Sequence, residues 1–315
     1  MESENSNISL PEAMQGIVFV DLRIDFAFKL IFGTRGNEDL LLTLVQAILP
    51  EKNIKNVALS NQENVALRPG SRRSVYDIAC TTEEGDFLSI EMQYRYQDDF
   101  DDRMLFYSSF PIMNSLLKGK NDSYRLSPIY LIGITNFINR NVPENSRLIN
   151  HYSVRSDDSS NVLFSQKLHY VTVELPKFSK SLEEISTIPE MLFYTFNNMG
   201  VLKKMPAKFQ GTVLEKIYEM CRFAAMDINL QMDYIREFMA DLDARSQMRS
   251  ARELAMSEGR AEGLERGRAE GRAEGRAEGR AENTRDTAKK LRDLGVDMSV
   301  ISQATGLTVA DIQQL

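Results

Sequence analysis

Glycine returns at every fourth position near the C-terminal end of this 315-residue chain, in a repeating Gly-Arg-Ala-Glu unit. The six glycines of this series are Gly259, Gly263, Gly267, Gly271, Gly275 and Gly279. Each glycine disfavours a helix by about 1 kcal/mol relative to alanine, so together they oppose an isolated helix by about 5–6 kcal/mol. A core cannot be built from this segment. The repeat therefore needs contacts from elsewhere or stays partly unfolded, and the globular fold must come from the rest of the chain.

Helical geometry predicts how two copies of the repeat would pair. At about 100° per residue, a row of glycines is flanked by a row of arginines and a row of glutamates. Neighbours four residues apart carry like charges, as in Arg268 with Arg272, which disfavours a lone helix. Parallel pairing along the glycine rows sets arginine against glutamate, and a four-residue period above 3.6 favours right-handed winding. The repeat predicts a parallel homodimer, with a solvated tether as the alternative.

Composition places the chain among ordinary folded proteins, with 43% hydrophobic and 26% charged residues. No apolar run approaches the roughly 18 residues of a membrane span, and the N-terminus lacks the pattern of a secretory signal. The two cysteines, Cys80 and Cys221, do not suggest a disulfide framework, so we expect a soluble protein of the reducing cytoplasm without a membrane partner. A net charge of -7 weakly disfavours a protein that coats nucleic acid, although a local basic patch would suffice to bind it.

The order of apolar patterns predicts an α/β core followed by an all-helical C-terminal part. Helical runs start at Asp21 and Leu40, and two short β-prone runs flank the turn at 83–86. A further helical run starts at Arg103, and a nearly all-apolar run, typical of a buried strand, covers 128–134. If 56–67 supplies the first strand, the order is αβββαβ, with one more strand at 168–175 and helices from Ser181. The expected parts are a loose leader (1–20), the core (21–180), a helical region (181–250), the tetrad repeat as helix or tether (251–283) and a small helical hairpin (284–315).

Three polar side chains fall together on the predicted hairpin. Asp77 lies in the middle of an otherwise apolar run, and Glu91 and Gln93 are two residues apart on the next strand, so both point to one face. Two neighbouring carboxylates repel unless a divalent cation lies between them, and such oxygen ligands suit Mg²⁺. A metal that activates water is sufficient for phosphodiester hydrolysis. The alternative is that these residues are the solvent-facing side of a half-exposed hairpin.

A family resemblance extends over roughly residues 20–140. Its residues are Asp25-Phe26-Ala27-Phe28-Lys29-Leu30-Ile31-Phe32, Ser71-Arg72-Arg73-Ser74-Val75-Tyr76-Asp77, Ile90-Glu91-Met92-Gln93 and Arg103, Tyr107, Gly119 and Tyr124. The pattern resembles the recombination-promoting nuclease/putative transposase family of PD-(D/E)XK enzymes, whose tails also contain similar repeats. The resemblance implies a restriction-endonuclease-like αβββαβ core and a DNA endonuclease of low sequence specificity, linked to recombination or mobile elements. It also implies that Asp77 and Glu91 bind Mg²⁺ or Mn²⁺.

Gln93 departs from the pattern of the superfamily, in which many relatives have lysine at this position. A lysine would supply positive charge to the attacking water and the transition state, whereas an amide only donates and accepts hydrogen bonds. Some active relatives have glutamine here, so the resemblance implies activity with greater reliance on the metal. The alternative function is a catalytically weak or inactive protein that binds DNA or self-associates.

Other charged residues are accessory candidates. Asp25 matches an acidic position that approaches the metal in similar folds, or it is a helix-terminal carboxylate favoured by the helix dipole. Arg72 and Arg73 are candidate contacts to DNA phosphates, or belong to a solvated loop. Arg103 and Tyr107 lie one helical turn apart and can face the scissile phosphate, or Arg103 forms a surface ion pair four residues from Asp99.

The last residues, from Asp297 to Leu315, predict two short helices around Thr305-Gly306-Leu307. The arrangement is similar to a helix-turn-helix. However, the second helix contains no arginine or lysine, and recognition helices normally use basic groups to contact phosphates. A plain docking hairpin is therefore favoured over a DNA-reading element.

Overall fold

The computed structural model describes residues 10–60, 76–117, 125–140 and 147–315. The chain divides into two compact units, Met1–Ala240 and Asp241–Leu315. Within the described ranges, no helix has both the length and the apolar character needed to cross a membrane.

A mixed six-stranded sheet organises the first unit. Its strands are β1 (Val57–Leu59), β2 (Ile78–Thr82), β3 (Phe87–Gln93), β4 (Ile129–Thr135), β5 (Ile149–Ser153) and β6 (Leu168–Glu174). The spatial order is β1-β2-β3-β4-β6-β5, in which β4 runs parallel to both β3 and β6, and the other neighbours are antiparallel. The hairpin of β2 and β3 turns through Gly85, whose φ of 84° is the left-handed conformation that glycine adopts without strain.

Helices precede and follow the strands in the expected order. They are α1 (Asp25–Phe32), α2 (Glu38–Ile48), α3 (Phe100–Leu117), α4 (Ile188–Asn198), α5 (Val213–Met220), α6 (Ile228–Asp293), α7 (Met298–Thr305) and α8 (Val309–Gln314). The segment from α1 to β4 has the predicted αβββαβ order, with the initial helix represented by the pair α1 and α2. The predicted fold class, an α/β core followed by an all-helical C-terminal part, is confirmed.

The period-two alternation of β3 separates the two faces of the sheet. Leu88, Ile90 and Met92 enter the main hydrophobic core, which also contains residues of α1, α2, α4 and α5. Alternate side chains point to the opposite face, where Glu91 and Gln93 contact Arg103 of α3. The polar residues of the hairpin therefore lie beneath α3, apart from the larger core.

Close packing of α3 on β4 depends on Gly133. A Cβ atom at this position would lie 2.5 Å from Phe100 Cζ and 3.2 Å from Met104 Sδ, well inside ordinary carbon contact distances. Gly133 pairs with Glu91 across the parallel strands β3 and β4. The absence of a side chain on β4 thus allows α3 to lie directly over the strand next to Glu91.

Several expectations differ from the structure. Asp77 directly precedes β2, which begins at Ile78, because the ladder to β3 starts with the pair Ile78 and Ile90. The edge strand β5 was not predicted, since its residues are at most half-buried and lack an apolar run. Residues 10–20 belong to the folded core instead of a loose leader, as Met14, Phe19 and Val20 are buried.

The region from Ser181 onward is helical but interrupted by 3₁₀ turns and connections, so the expectation of helix throughout was too broad. Arg72 and Arg73, the candidate phosphate contacts, lie outside the described residues.

The second unit contains the greater part of α6 together with α7 and α8. All six repeat glycines lie within α6, and apart from the adjoining backbone of the helix itself, a Cβ added at any of them would meet no described atom within 4 Å. After α7, Gly306 adopts a φ of 75° and Thr308 caps α8 through a reciprocal capping box with Asp311. Ala288 of α6, Ile301 of α7 and Ile312 of α8 form a small apolar cluster in this unit.

Candidate active site

Asp77 directly precedes β2, and its side chain bonds to the backbone of the neighbouring strand β3. Its Oδ2 accepts a hydrogen bond of 2.9 Å from the backbone N–H of Met92, on the strand that carries Glu91. The carboxylate is therefore fixed against β3 by the backbone itself. Because Met92 adjoins both Glu91 and Gln93, this bond holds Asp77 beside the two polar residues that the sequence pattern singled out.

Glu91 is buried, with a relative exposure of 8%. Its Oε2 accepts a 2.8 Å hydrogen bond from Nη2 of Arg103. Its Oε1 is also buried and has no hydrogen-bond partner among the described residues. Since buried polar atoms are almost always hydrogen-bonded, this oxygen marks a position suited to a ligand.

Gln93 and Arg103 form one network with Glu91. Nη2 of Arg103 also donates to Gln93 Oε1 at 2.8 Å, and Nη1 donates to Gln97 Oε1 at 3.1 Å. The amide nitrogen of Gln93 donates to the carbonyl of Arg95. The guanidinium of Arg103 is thus directed into the site, and its link to Asp99 is the ordinary backbone bond of the helix instead of a surface ion pair.

Tyr107, one turn after Arg103 on α3, supports the guanidinium from the side. The Arg103 Cζ atom lies 5.5 Å from the centre of the Tyr107 ring, within the range of a cation–π contact. The Tyr107 carbonyl accepts a 3.0 Å hydrogen bond from the hydroxyl of Tyr76, the residue before Asp77. The accessory pair predicted on α3 therefore lies beside the hairpin carboxylates.

The first helix brings Asp25 and Lys29 to the same place. Lys29 Nζ lies 2.6 Å from Asp25 Oδ2 and 3.1 Å from Asp77 Oδ1. Asp25 Oδ1 is buried without a hydrogen-bond partner in the described part of the chain. Sequence reasoning assigned no role to Lys29. Its spacing of four residues from Asp25, which puts both side chains on one helix face, is the signal that could have identified it.

The family of the chain follows from comparison with known proteins. A family profile described as PD-(D/E)XK nuclease family transposase matches residues 22–251, which is most of the chain and includes all the residues of this site. The chain belongs to this PD-(D/E)XK family. No curated protein and no solved structure matches it. Membership confirms the resemblance inferred from the sequence and supports a nuclease-type or transposase-like function for this PD-(D/E)XK domain.

Burial and like charge perturb both hairpin carboxylates of the PD-(D/E)XK site. Desolvation and the neighbouring charge of Asp77 raise the pKa of Glu91 to about 7, although Arg103 partly opposes the shift. Desolvation, followed by the charge of Asp25, raises the pKa of Asp77, although Lys29 and the Met92 N–H partly oppose it. The site therefore holds negative charge at an energetic cost that a bound cation would reduce.

The donor set of this PD-(D/E)XK site is compatible with Mg²⁺ or Mn²⁺. Asp77 and Glu91 could hold the ion, and the unpartnered Oε1 of Glu91 is a candidate ligand atom. No group of three or more His, Cys, Asp or Glu side chains within the described ranges is arranged to hold a metal. Two carboxylates suffice for Mg²⁺, because this ion usually keeps several waters and takes further oxygens from substrate phosphates.

Proposed function

We propose that the protein is a metal-dependent DNA endonuclease that hydrolyses phosphodiester bonds with low sequence specificity. The observation that carries this proposal is that the Met92 N–H holds Asp77 next to Glu91 at one end of the β2–β3 hairpin, with the Oε1 of Glu91 buried and unpartnered among the described residues. Membership of the PD-(D/E)XK nuclease family transposases supports the same chemistry, as well as a role in DNA recombination or mobile elements.

The residues of the site would divide the work of hydrolysis. Asp77 and Glu91 would hold Mg²⁺ or Mn²⁺, which when bound lowers the pKa of a coordinated water and polarises a phosphate oxygen. Arg103 fixes the orientation of Glu91 and Gln93, because one of its nitrogens donates to both side chains. Gln93 is held in turn by the carbonyl of Arg95, so its amide is oriented before substrate binds.

Cationic and aromatic side chains beside this site support DNA as the substrate. Tyr94, Arg95 and Tyr96 directly follow β3, and the exposed Arg140 follows β4 and lies 4.5 Å above the Tyr96 ring. Since β3 and β4 are parallel, their ends meet at the same edge of the sheet. Such groups bind phosphates and stack on bases without recognising the sequence, which fits low specificity. The local positive charge also provides a binding surface for DNA on a chain whose net charge is -7.

The decisive experiment incubates the purified protein with supercoiled plasmid in Mg²⁺, in Mn²⁺ and in EDTA. We expect nicked and linear products in either metal and none in EDTA. The test variant is Glu91→Gln in the site, and its matched control is Glu84→Gln, which changes an exposed carboxylate in the turn of the same hairpin. Cutting by Glu91→Gln at the wild-type rate would refute the site assignment. DNA binding without any cutting would favour the alternative, a catalytically inactive DNA-binding protein in which Gln93 marks the weakened site.

A further inference from the structure

Positive charge at the proposed site comes from α1 and α3 instead of β3. The strand position that commonly carries lysine in the superfamily is Gln93, which is neutral. Among the described residues, Lys29 and Arg103 are cations in contact with the hairpin carboxylates. If the site hydrolyses a phosphodiester, these two cations are the described side chains placed to add to the charge that the metal supplies to the transition state.

Arg103 is already committed to orienting the site. Its guanidinium donates to Glu91, Gln93 and Gln97 and packs over the Tyr107 ring. A guanidinium is a planar fork whose donors point in fixed directions. Turning it towards a phosphate would break bonds that hold Glu91 and Gln93 in place.

Lys29 is better placed to reach a substrate. Its ammonium has three N–H donors, and its contacts to Asp25 and Asp77 use two of them. The side chain is 35% exposed, so the third donor can reach an incoming oxygen. Lys29 also contacts Asp77, one of the two carboxylates that would hold the metal, and an ammonium there lies close to where a bound phosphate would have to sit.

We propose that Lys29 is a catalytic residue that supplies from α1 the ammonium that Gln93 cannot supply from β3. This inference rests on the proposed hydrolytic function. In the reaction, water forms a bond to phosphorus while one ester P–O bond breaks; the leaving oxygen takes up a proton and the attacking water loses one to solvent. Lys29 donates a hydrogen bond to the attacking water or to a non-bridging oxygen as negative charge develops.

The competing explanation is that Lys29 only neutralises Asp25 and Asp77. The two explanations differ in what restores activity after Lys29 is lost. A structural cation must be replaced on α1, whereas a catalytic ammonium can be supplied by another element that reaches the same carboxylates. Gln93 and Glu91 point to the same face of β3, so a lysine at position 93 tests directly whether an ammonium from β3 can replace that of Lys29.

The test compares full-length wild type, Lys29→Gln, Lys29→Arg, Gln93→Lys and the double variant Lys29→Gln/Gln93→Lys. Single-turnover plasmid cleavage gives the rate, fluorescence anisotropy in EDTA gives DNA affinity, and thermal melting reports folding. We expect Lys29→Gln to lose at least about 100-fold in rate, as for other removed transition-state donors. Its melting temperature should stay close to that of wild type and its DNA affinity should change less than threefold. Lys29→Arg should keep part of the rate, and the double variant should regain at least tenfold over Lys29→Gln.

Three outcomes would overturn the assignment: a Lys29→Gln rate within threefold of wild type, no gain in the double variant although Gln93→Lys alone cleaves within threefold of wild type, or a rate loss matched by loss of folded protein in both Lys29 variants. Absence of cleavage by the wild type is a different result. It would refute the proposed endonuclease function itself and therefore also the catalytic role of Lys29.

Discussion

Nη2 of Arg103 lies 2.8 Å from Oε2 of Glu91 and joins the first turn of α3 to the centre of β3. The same nitrogen donates to Gln93, so one cation orients two polar residues of the site. The position of α3 over the sheet therefore determines the geometry of the carboxylate as well as the packing of the helix.

Arg103→Lys should reduce cleavage by about 10–100-fold, the range found when a group that orients a metal ligand is removed. A lysine keeps the charge but cannot donate to Glu91, Gln93 and Gln97 with a rigid fork. Plasmid cleavage rates measure the effect, with Arg236→Lys, an exposed arginine on α6, as the control. A rate equal to wild type would mean that the fork has no role in positioning.

Asp77→Ala and Glu91→Ala should abolish metal-dependent cleavage without unfolding the protein. Each variant removes a proposed metal ligand and also removes a buried charge whose raised pKa reflects an unfavourable environment. Cleavage assays and thermal melting of the two variants check the expectation. Cleavage at the wild-type rate by either one would show that the ion, if any, binds elsewhere.

Gln93→Ala should slow cleavage by roughly 10²-fold if the amide positions the attacking water, the loss expected for one transition-state donor. The substitution also removes an acceptor of Arg103, so Gln93→Glu is a useful companion because it keeps that acceptor. Equal rates for Gln93→Ala and wild type would make the residue a bystander.

The effect of Mg²⁺ on stability should depend on pH. The pKa of Glu91 is raised from 4.5 to about 7, so its contribution to stability is present below about pH 4.5 and is lost as pH rises through about 7. At about pH 6 the Glu91 carboxyl is mostly protonated, so Mg²⁺ must displace its proton in order to bind. At about pH 8 the carboxylate is already ionised, and Mg²⁺ binds without this cost. The increase in melting temperature on adding Mg²⁺ should therefore be larger at about pH 8.

Glu91→Gln provides the control for this pH dependence, since the amide does not titrate. The variant without metal should also lose less stability than wild type between about pH 4.5 and about pH 8. An increase of the same size at both pH values in the wild type would contradict the raised pKa of Glu91 as the cause.

Gly133→Ala should destabilise the protein by about 1–3 kcal/mol, the usual cost of overpacking, and should reduce cleavage further through displacement of α3. The reason is the 2.5 Å approach of the added Cβ to Phe100 Cζ. Removal of that ring atom in Gly133→Ala/Phe100→Leu should recover part of the rate, because α3 can return towards β4. Denaturant unfolding measures the change in stability, and cleavage assays measure the change in rate. Recovery of stability in the double variant without recovery of rate would show that the position of α3 does not control cleavage.

The extent of sequence-based prediction differs between parts of the chain. The range of β3 and the approximate positions of α1, α3 and β4 were predictable because their apolar periodicity is strong, and the pairing of Asp77 with Glu91 followed from the hairpin. By contrast, β5 has no apolar run, and its existence depends on pairing with β6. Lys29 could not be assigned from propensity, since its contact with Asp77 joins elements that are 48 positions apart in the chain.

The parallel homodimer predicted from the tetrad repeat stays a prediction. Sedimentation of the full-length chain should show a concentration-dependent increase in mass, weakened by salt because arginine rows face glutamate rows. A chain that ends at residue 250 is the control and should sediment as a species of constant mass. Concentration-independent mass of the full-length chain would instead favour the solvated tether.

The bond from Met92 to Asp77 also links the strand register of the hairpin to the assembly of the proposed site. A strand register moved by one residue would turn Glu91 and Gln93 towards the apolar side and bring Ile90 and Met92 under α3. The same error would separate Asp77 from the Met92 N–H and so leave that backbone donor without its side-chain acceptor. A misregistered hairpin would thus lose both its buried apolar contacts and its carboxylate pair, so the proposed site would not assemble in partly misfolded molecules.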